Sequence, residues 1–96
     1  MFPFNFCVSI SVLNVINNKE ERMNHLKLCG SVLKDCGKLY IKIWEGNKTG
    51  ISTYLNGSYQ NNLLFNYYID EIKEVFGRNI FIDFRNKIIK CIKILP

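Results

Sequence analysis

The hydrophobic pattern changes period abruptly at Gly77, and this change constrains the fold more than any other feature of the chain. Over residues 59–77 apolar residues recur at three- and four-residue intervals, which predicts an amphipathic helix that faces a core. Gly77 follows where a helix needs a residue that tolerates a left-handed conformation. The alternation of Ile80, Ile82 and Phe84 then predicts a half-buried strand. A helix that runs directly into such a strand is typical of a mixed layer of helices and strands.

The length and composition are those of a small globular protein. Its 96 residues suffice for one core, so we predict a single domain over residues 1–96. Hydrophobic residues make up 48% of the chain, which lies within the globular range and far from the disordered one. The net charge of +5 favours anionic partners without singling out nucleic acid.

The apolar segment 1–16 predicts a strand and no membrane segment. It lacks a basic beginning, Pro3 and Asn5 interrupt it, and it is too short to span a bilayer as a helix. We therefore expect a cytoplasmic protein without a membrane partner, whose cysteines stay reduced. Alternation predicts a strand with one buried face. The expected buried side is Phe2, Phe4, Phe6, Val8, Ile10 and Val12, and the other side is Asn5, Cys7, Ser9 and Ser11.

The middle of the chain predicts a helix followed by a hairpin. Asn17 and Asn18 offer an N-cap, and helical spacing of apolar residues favours a helix over about 19–36. Gly37 then closes the helix, and residues 38–45 alternate as a strand. The turn sequence 46–50 leads to a second strand over 51–57. We expect these two strands to pair as a hairpin.

The tail completes the predicted order of elements. The β-branched residues of segment 87–95 favour a strand, although Lys87, Lys90 and Lys93 at three-residue steps would also fit one side of a helix. The order is then strand, helix, strand, strand, helix, strand, strand. It predicts an α+β fold, a two-layer sandwich in which two helices cover one face of a mainly antiparallel sheet, ferredoxin-like or related.

Strand alternation also predicts the sheet face that the helices leave uncovered. Its expected members are Tyr40, Lys42, Trp44, Ser52, Tyr54, Phe81 and Asp83, together with Asn5, Cys7, Ser9 and Ser11. Aromatic residues are common anchors of protein interfaces, so we predict contact with a protein partner or a second copy. The residues predicted to make it are Tyr40, Lys42, Trp44, Tyr54 and Phe81. Cross-strand aromatic pairs that merely stabilise a solvated sheet are an open alternative.

Nucleic acid is a further alternative partner. Arg85, Lys87, Lys90 and Lys93 fall in the last twelve residues without an acid among them, which predicts a basic edge. Bases could stack on the aromatic residues of the uncovered face while Lys42 contacts phosphate. Lysines on an edge strand also serve simply to prevent aggregation. Lys42 is the one basic residue expected on that face, which makes nucleic acid the weaker hypothesis.

The chain carries little that predicts catalysis. His25, Cys29 and Cys36 would share one side of the first helix, but zinc sites usually bring their ligands in closely spaced pairs. A cysteine nucleophile with His25 as base lacks an orienting third group. Asp70 and Glu74 fit a solvated helix face. We therefore predict a non-catalytic protein with no metal and no cofactor.

One stretch resembles a known family. The run ISTYLNGSYQNNLL, the helix after it and IFIDFRN resemble the first half of a STAS domain, where a strand ending in Leu-x-Gly leads through a helix to a buried strand. The resemblance covers about 35 residues and implies a regulatory binding module, switched in some members by serine phosphorylation. Lys90 and Cys91 stand about where the Asp-Ser pair of that family would be.

Overall fold

The computed structural model describes residues 4–94, which form a small α+β domain with two α-helices. The helices are α1 (Lys19–Ser31) and α2 (Ile69–Phe76). The strands are β1 (Phe4–Ile10), β2 (Leu33–Lys42), β3 (Thr53–Leu55), β4 (Ser58–Gln60), β5 (Ile80–Asp83) and β6 (Ile88–Ile92). Short 3₁₀ turns at Leu13–Val15 and Phe65–Tyr68 precede the two helices.

Four of these strands form one mixed sheet in the order β1-β2-β6-β5. β1 and β2 are parallel and are joined through α1, whereas β2–β6 and β6–β5 are antiparallel. The predicted two-layer sandwich is not confirmed, and neither is the ferredoxin-like arrangement. That arrangement separates the two parallel strands of a βαβ unit by another strand, and here β1 and β2 are direct neighbours.

One cluster of buried side chains joins the helices to the sheet. Both helices contribute to it, as do alternate residues of β2 and β6. Its members are Leu13, Leu26, Cys29, Leu33, Leu39, Ile41, Ile43, Phe65, Tyr68, Ile72, Ile89 and Cys91. Burial of this apolar surface is the main stabilising contribution to such a fold. The alternate residues of β2 and β6 that are not in this cluster point to the other face of the sheet.

Helix α1 begins as predicted and ends earlier. The Asn18 side-chain oxygen accepts hydrogen bonds from the backbone N–H groups of Glu20 and Glu21, at 2.7 and 3.2 Å. This is the expected N-cap. The predicted end near residue 36 is wrong, because the chain already enters β2 at Leu33. Leu33 is a core residue of β2. Its sequence spacing from the apolar residues of α1 also fits a longer helix, which is why the helix was predicted to continue.

Helix α2 is shorter than the predicted helix over residues 59–77. Residues 58–60 form β4, and Asn61 and Asn62 are both buried between that strand and the helix. The Asn61 amide group donates to the Leu13 carbonyl at 3.1 Å, which fixes this segment to the start of the chain. The predicted helix end is confirmed. Gly77 has a φ of 65° and its N–H donates to the Lys73 carbonyl at 2.7 Å.

The predicted hairpin between residues 38–45 and 51–57 is wrong. β2 pairs with β1 and β6, while β3 pairs with β4 in a separate two-stranded sheet. Asn56 and Gly57 connect β3 to β4 and both have a positive φ, of 51° and 78°. Asn-Gly is the preferred sequence for such a two-residue hairpin turn, because both positions need a left-handed conformation. The strand predicted over 80–84 is confirmed as β5, and the strand predicted over 87–95 is found as the shorter β6, with residue 95 outside the described residues.

The faces of β1 are the reverse of those predicted. Phe4, Phe6, Val8 and Ile10 are exposed, whereas Ser9 is buried and Cys7 is partly buried. The pairing with β2 places Cys7 beside Leu39 and Ser9 beside Ile41, on the face that the helices cover. The buried Ser9 hydroxyl has a hydrogen-bonding partner on that face, because it lies 2.8 Å from Nε2 of His25 on α1. Phe2 lies outside the described residues.

Candidate functional site

We call the side of the four-stranded sheet that is turned away from the core the open face. Residues paired across neighbouring strands lie side by side on the same face, so the strand register defines its rows. The first row is Phe6, Lys38 and Ile92, the second is Val8, Tyr40, Lys90 and Phe81, and the third is Ile10, Lys42, Ile88 and Asp83. Apolar, aromatic and basic side chains therefore alternate across it.

One margin of the open face is an apolar stripe, which comprises Phe4, Phe6, Val8 and Ile10 of β1. The exposed fractions of these four residues are 55%, 64%, 54% and 63%. Natural edge strands are usually protected by lysine, proline or a covering element, and β1 contains neither residue type. Within residues 4–94 no strand pairs with its outer edge. The stripe and this edge form one continuous exposed surface within the described residues.

The centre of the open face is basic. Lys38 and Lys42 lie on β2, and Lys90 lies between Tyr40 and Phe81. The Lys90 ammonium is 4.7 Å from the centre of the Phe81 ring, within range of a cation–π interaction. The Lys42 ammonium donates to the backbone carbonyl of Asn86. Positive charge is thus concentrated between the two margins.

Asp83 stands at the margin opposite the apolar stripe. Its carboxylate accepts hydrogen bonds from the side-chain amide and the backbone N–H of Asn86, at 2.8 and 3.1 Å. These hydrogen bonds hold the pKa of Asp83 below its ordinary value, with the side-chain bond as the larger cause. The carboxylate is therefore ionised at neutral pH, and its hydrogen bonds are made within the turn between β5 and β6.

A shallow apolar groove crosses the boundary between the apolar stripe and the basic centre. It is lined by Val8, Ile10, Tyr40, Ile41, Lys42 and Ile88. The lysine stem can cover apolar surface while its charged end stays in water. An extended segment of chain laid along β1 would therefore contact apolar atoms from three neighbouring strands.

The structure brings together three of the five residues predicted to contact a partner. Tyr40, Lys42 and Phe81 lie on the open face. Trp44 lies two residues beyond the end of β2 and is exposed, and its backbone N–H donates to the Asn14 side-chain oxygen at 3.3 Å. Tyr54 lies in the separate β3–β4 hairpin, where its ring packs against Tyr59. The expected aromatic surface is thus divided between two sheets.

The four basic residues predicted as a nucleic-acid edge do not share one surface. Lys90 lies on the open face and Arg85 lies in the exposed turn before β6. Lys87 lies one residue before β6 and Lys93 one residue after it. The Lys87 ammonium is 3.9 Å from a Glu45 oxygen, and the Lys93 ammonium donates to the Leu33 carbonyl at 2.7 Å. Their proximity in the sequence does not become a single basic surface, because Lys87 contacts Glu45 and Lys93 contacts Leu33, whereas Lys90 contacts Phe81 on the open face.

Several open-face residues were missed by sequence reasoning. Lys38 and Lys90 join Lys42 there, so the expectation of a single basic residue on this face is wrong. The alternation of residues 38–42 in the sequence already places Lys38 on the same face as Tyr40 and Lys42. The apolar stripe was assigned to the core, because nothing in the sequence of β1 says which of its two sides meets the helices. The uncharged character of the whole segment 1–18 is the signal that could have raised the question.

A second group of chemically interesting side chains lies under the sheet. His25 Nε2 is 2.8 Å from the Ser9 hydroxyl and 3.7 Å from the Cys29 sulfur. Burial lowers the pKa of His25 and raises the pKa of Cys29 to about 11. Burial likewise raises the pKa of Cys91 to about 12. Neutral thiols are poor nucleophiles, so this arrangement favours a packing role.

Among the residues that the structure describes, no group of three or more His, Cys, Asp or Glu side chains could hold a metal ion. All four cysteines are free thiols, at positions 7, 29, 36 and 91. In the same part of the chain, no helix has the length and apolar character needed to cross a membrane.

The stretch that resembles a STAS domain is divided between two sheets. β3 belongs to the two-stranded sheet, whereas β5 is an edge of the four-stranded one. The sequence was compared with models of known protein families and with curated proteins, and neither comparison finds a match.

Proposed function

We propose that this protein is a non-catalytic binding module that contacts another protein chain, a partner or a second copy of itself, through its open face. The observation that carries the proposal is the apolar stripe, four neighbouring apolar side chains that are each more than half exposed, on a strand whose outer edge pairs with no other strand within residues 4–94. Exposed apolar patches on small proteins commonly mark interaction sites. In this proposal the helices form one layer and the four-stranded sheet forms the other, and the open face of the sheet makes the contact.

The size of the surface fits this role. A fully exposed aromatic side chain offers about 200 Å², so the stripe exposes roughly 400 Å². Tyr40 and Phe81, both exposed on the same face, extend it toward the roughly 800 Å² that each partner contributes to a standard interface. Aromatic residues are also those that most often dominate binding energy.

Charge favours protein over nucleic acid as the partner. β1 has no charged residue, so the apolar stripe offers nothing to a phosphate backbone. Nucleic acid is the second candidate, and one observation supports it: Lys38, Lys42 and Lys90 surround Tyr40 and Phe81 on the same face. Such a surface could stack unpaired bases.

The four free cysteines support the proposed cytoplasmic location, where thiols stay reduced.

Size-exclusion chromatography with light scattering at low and high salt separates these candidates. We expect association that changes little with salt, because apolar contacts dominate it. Replacement of Lys38 and Lys90 by glutamine should leave this association intact. A monomer that binds a single-stranded oligonucleotide at low salt, and loses it steeply as salt rises, would instead favour the nucleic-acid candidate.

A further inference from the structure

We infer that the apolar stripe and the outer edge of β1 bind a second copy of this chain by antiparallel pairing of β1 with β1, centred on Cys7, which would extend the four-stranded sheet across a two-fold axis. This inference rests on the proposed function and names its partner. It is drawn from the edge of β1, from the sequence symmetry of that strand and from the distribution of charge on the open face.

The outer edge of β1 is available for such pairing. An edge strand presents unpaired backbone N–H and C=O groups along one side, and those of β1 have no strand partner within residues 4–94. The strand is seven residues long and contains neither proline nor a charged side chain. Backbone hydrogen bonds from a second strand would satisfy these groups.

The sequence of β1 is self-complementary about its middle residue. In an antiparallel pair centred on Cys7, Phe6 lies opposite Val8 of the second copy and Phe4 lies opposite Ile10. Aromatic and β-branched residues form favourable cross-strand pairs. On the other side of the strand, Asn5 lies opposite Ser9. Centring on Cys7 pairs all seven residues, whereas centring on Phe6 or Val8 leaves residues at the strand ends unpaired.

Charge argues for pairing at this edge and against stacking of two open faces. Full stacking would bring Lys38, Lys42 and Lys90 toward the same lysines of the second copy, and like charges in contact are unfavourable. In edge pairing the two β2 strands are three strand spacings apart, about 14 Å. This exceeds the screening length of about 8 Å at physiological salt, so the lysines repel little.

A charge-complementation experiment on the full chain tests the register directly. Phe6→Glu and Val8→Lys are each expected to weaken dimerisation by about tenfold or more, because a charge then faces an apolar side chain. Mixed in equal amounts, they can form a heterodimer. In it the introduced carboxylate lies opposite the introduced ammonium, and the other pair stays native. We expect the mixture to recover dimerisation, measured by sedimentation velocity.

The matched control mixes Phe6→Glu with Phe4→Lys. This pair carries the same charges, but in the Cys7-centred register the two positions are not neighbours across the interface, so no recovery is expected. Leu55→Glu is a second control, at an exposed apolar residue of the separate β3–β4 sheet, and should dimerise like the unmodified chain.

The outcomes separate the inference from the proposed function. Recovery with Val8→Lys and not with Phe4→Lys supports pairing centred on Cys7. If Phe6→Glu disrupts the dimer and the two mixtures behave alike, both restoring it or both failing to, the Cys7-centred register is overturned. The open face then remains a contact surface. An unmodified chain that stays monomeric over a wide concentration range overturns the inference; if in addition no protein binds the open face, the proposed function fails as well.

Discussion

Arg22 on α1 and Glu71 on α2 form a buried ion pair with two parallel hydrogen bonds. The Nε–Oε1 and Nη2–Oε2 distances are both 2.8 Å. Nη1 of the same guanidinium donates to the Ile16 carbonyl, also at 2.8 Å. The hydrogen bond to Glu71 raises the pKa of Arg22 above its ordinary value. This pair ties the two helices to each other and to the segment between β1 and α1.

We expect Arg22→Met to lower the free energy of unfolding by about 3 to 5 kcal/mol, because it leaves the Glu71 carboxylate buried and unpaired. Urea denaturation measures the loss. The double variant Arg22→Met with Glu71→Met removes both charges and should cost much less than the sum of the two single variants. Additive losses would show that the two side chains do not act as a pair.

A second prediction concerns the close approach of Gly46 to Asn62. A Cβ atom at Gly46, where φ is +62°, would lie 2.1 Å from Oδ1 of Asn62, an atom that accepts a hydrogen bond from the Asn47 N–H. We expect Gly46→Ala to cost about 2 to 3 kcal/mol, from backbone strain together with a lost hydrogen bond.

Gly50 provides the matched control for that substitution. Its φ is +76° and nothing lies within 4 Å of an added Cβ, so Gly50→Ala adds backbone strain alone. We expect a cost of about 1 kcal/mol in thermal or urea denaturation. Equal losses for the two variants would contradict a specific role for the Gly46–Asn62 contact.

The third prediction concerns pH. Burial lowers the pKa of His25 below its ordinary value of 6.5, so the unfolded chain binds this proton more tightly than the folded one. The free energy of unfolding should therefore decrease as the pH falls below about 6.5 toward the folded pKa. In His25→Gln this part of the pH dependence should disappear. Urea midpoints measured between pH 5 and 8 test it, and identical profiles for the two proteins would refute it.

A fourth prediction concerns thiol reactivity. Cys36 is exposed, whereas Cys29 and Cys91 are buried and their pKa values are raised to about 11 and about 12. With a maleimide reagent at pH 7.5, peptide mass spectrometry should find Cys36 modified first and Cys29 and Cys91 modified only after denaturation. Rapid labelling of Cys91 in the native protein would show that the core opens readily.

Local signals in the sequence predicted the fold where they were strong. The Asn18 cap, the positive φ of Gly77 and the alternation of Ile80 and Ile82 each correspond to a structural feature at the expected position. These features depend on backbone chemistry within a few residues. The sequence Asn56-Gly57 is an equally specific signal for the turn of the β3–β4 hairpin. The longer apolar pattern around this dipeptide instead favoured a strand that ends there and a helix that follows.

The candidate site was harder to predict, because it depends on partners distant in sequence. Alternation divides β1 into two sides, but the contact between Ser9 and His25 and the parallel pairing with β2 decide which side is buried. Hydrophobicity alone assigned Phe6 and Val8 to the core. A strand that is more apolar on its exposed side than on its buried side violates the usual pattern, and such violations are expected at interaction sites.

Sedimentation velocity over a wide range of protein concentrations tests the central claim most directly, applied to the unmodified chain, Phe6→Glu and Leu55→Glu. We predict that the unmodified chain and Leu55→Glu associate to the same extent, and that Phe6→Glu remains monomeric, with the urea midpoint that the unmodified chain has when it is diluted to a monomer. Equal association of all three proteins, or loss of association in Leu55→Glu alone, would contradict the assignment of β1 as the contact surface.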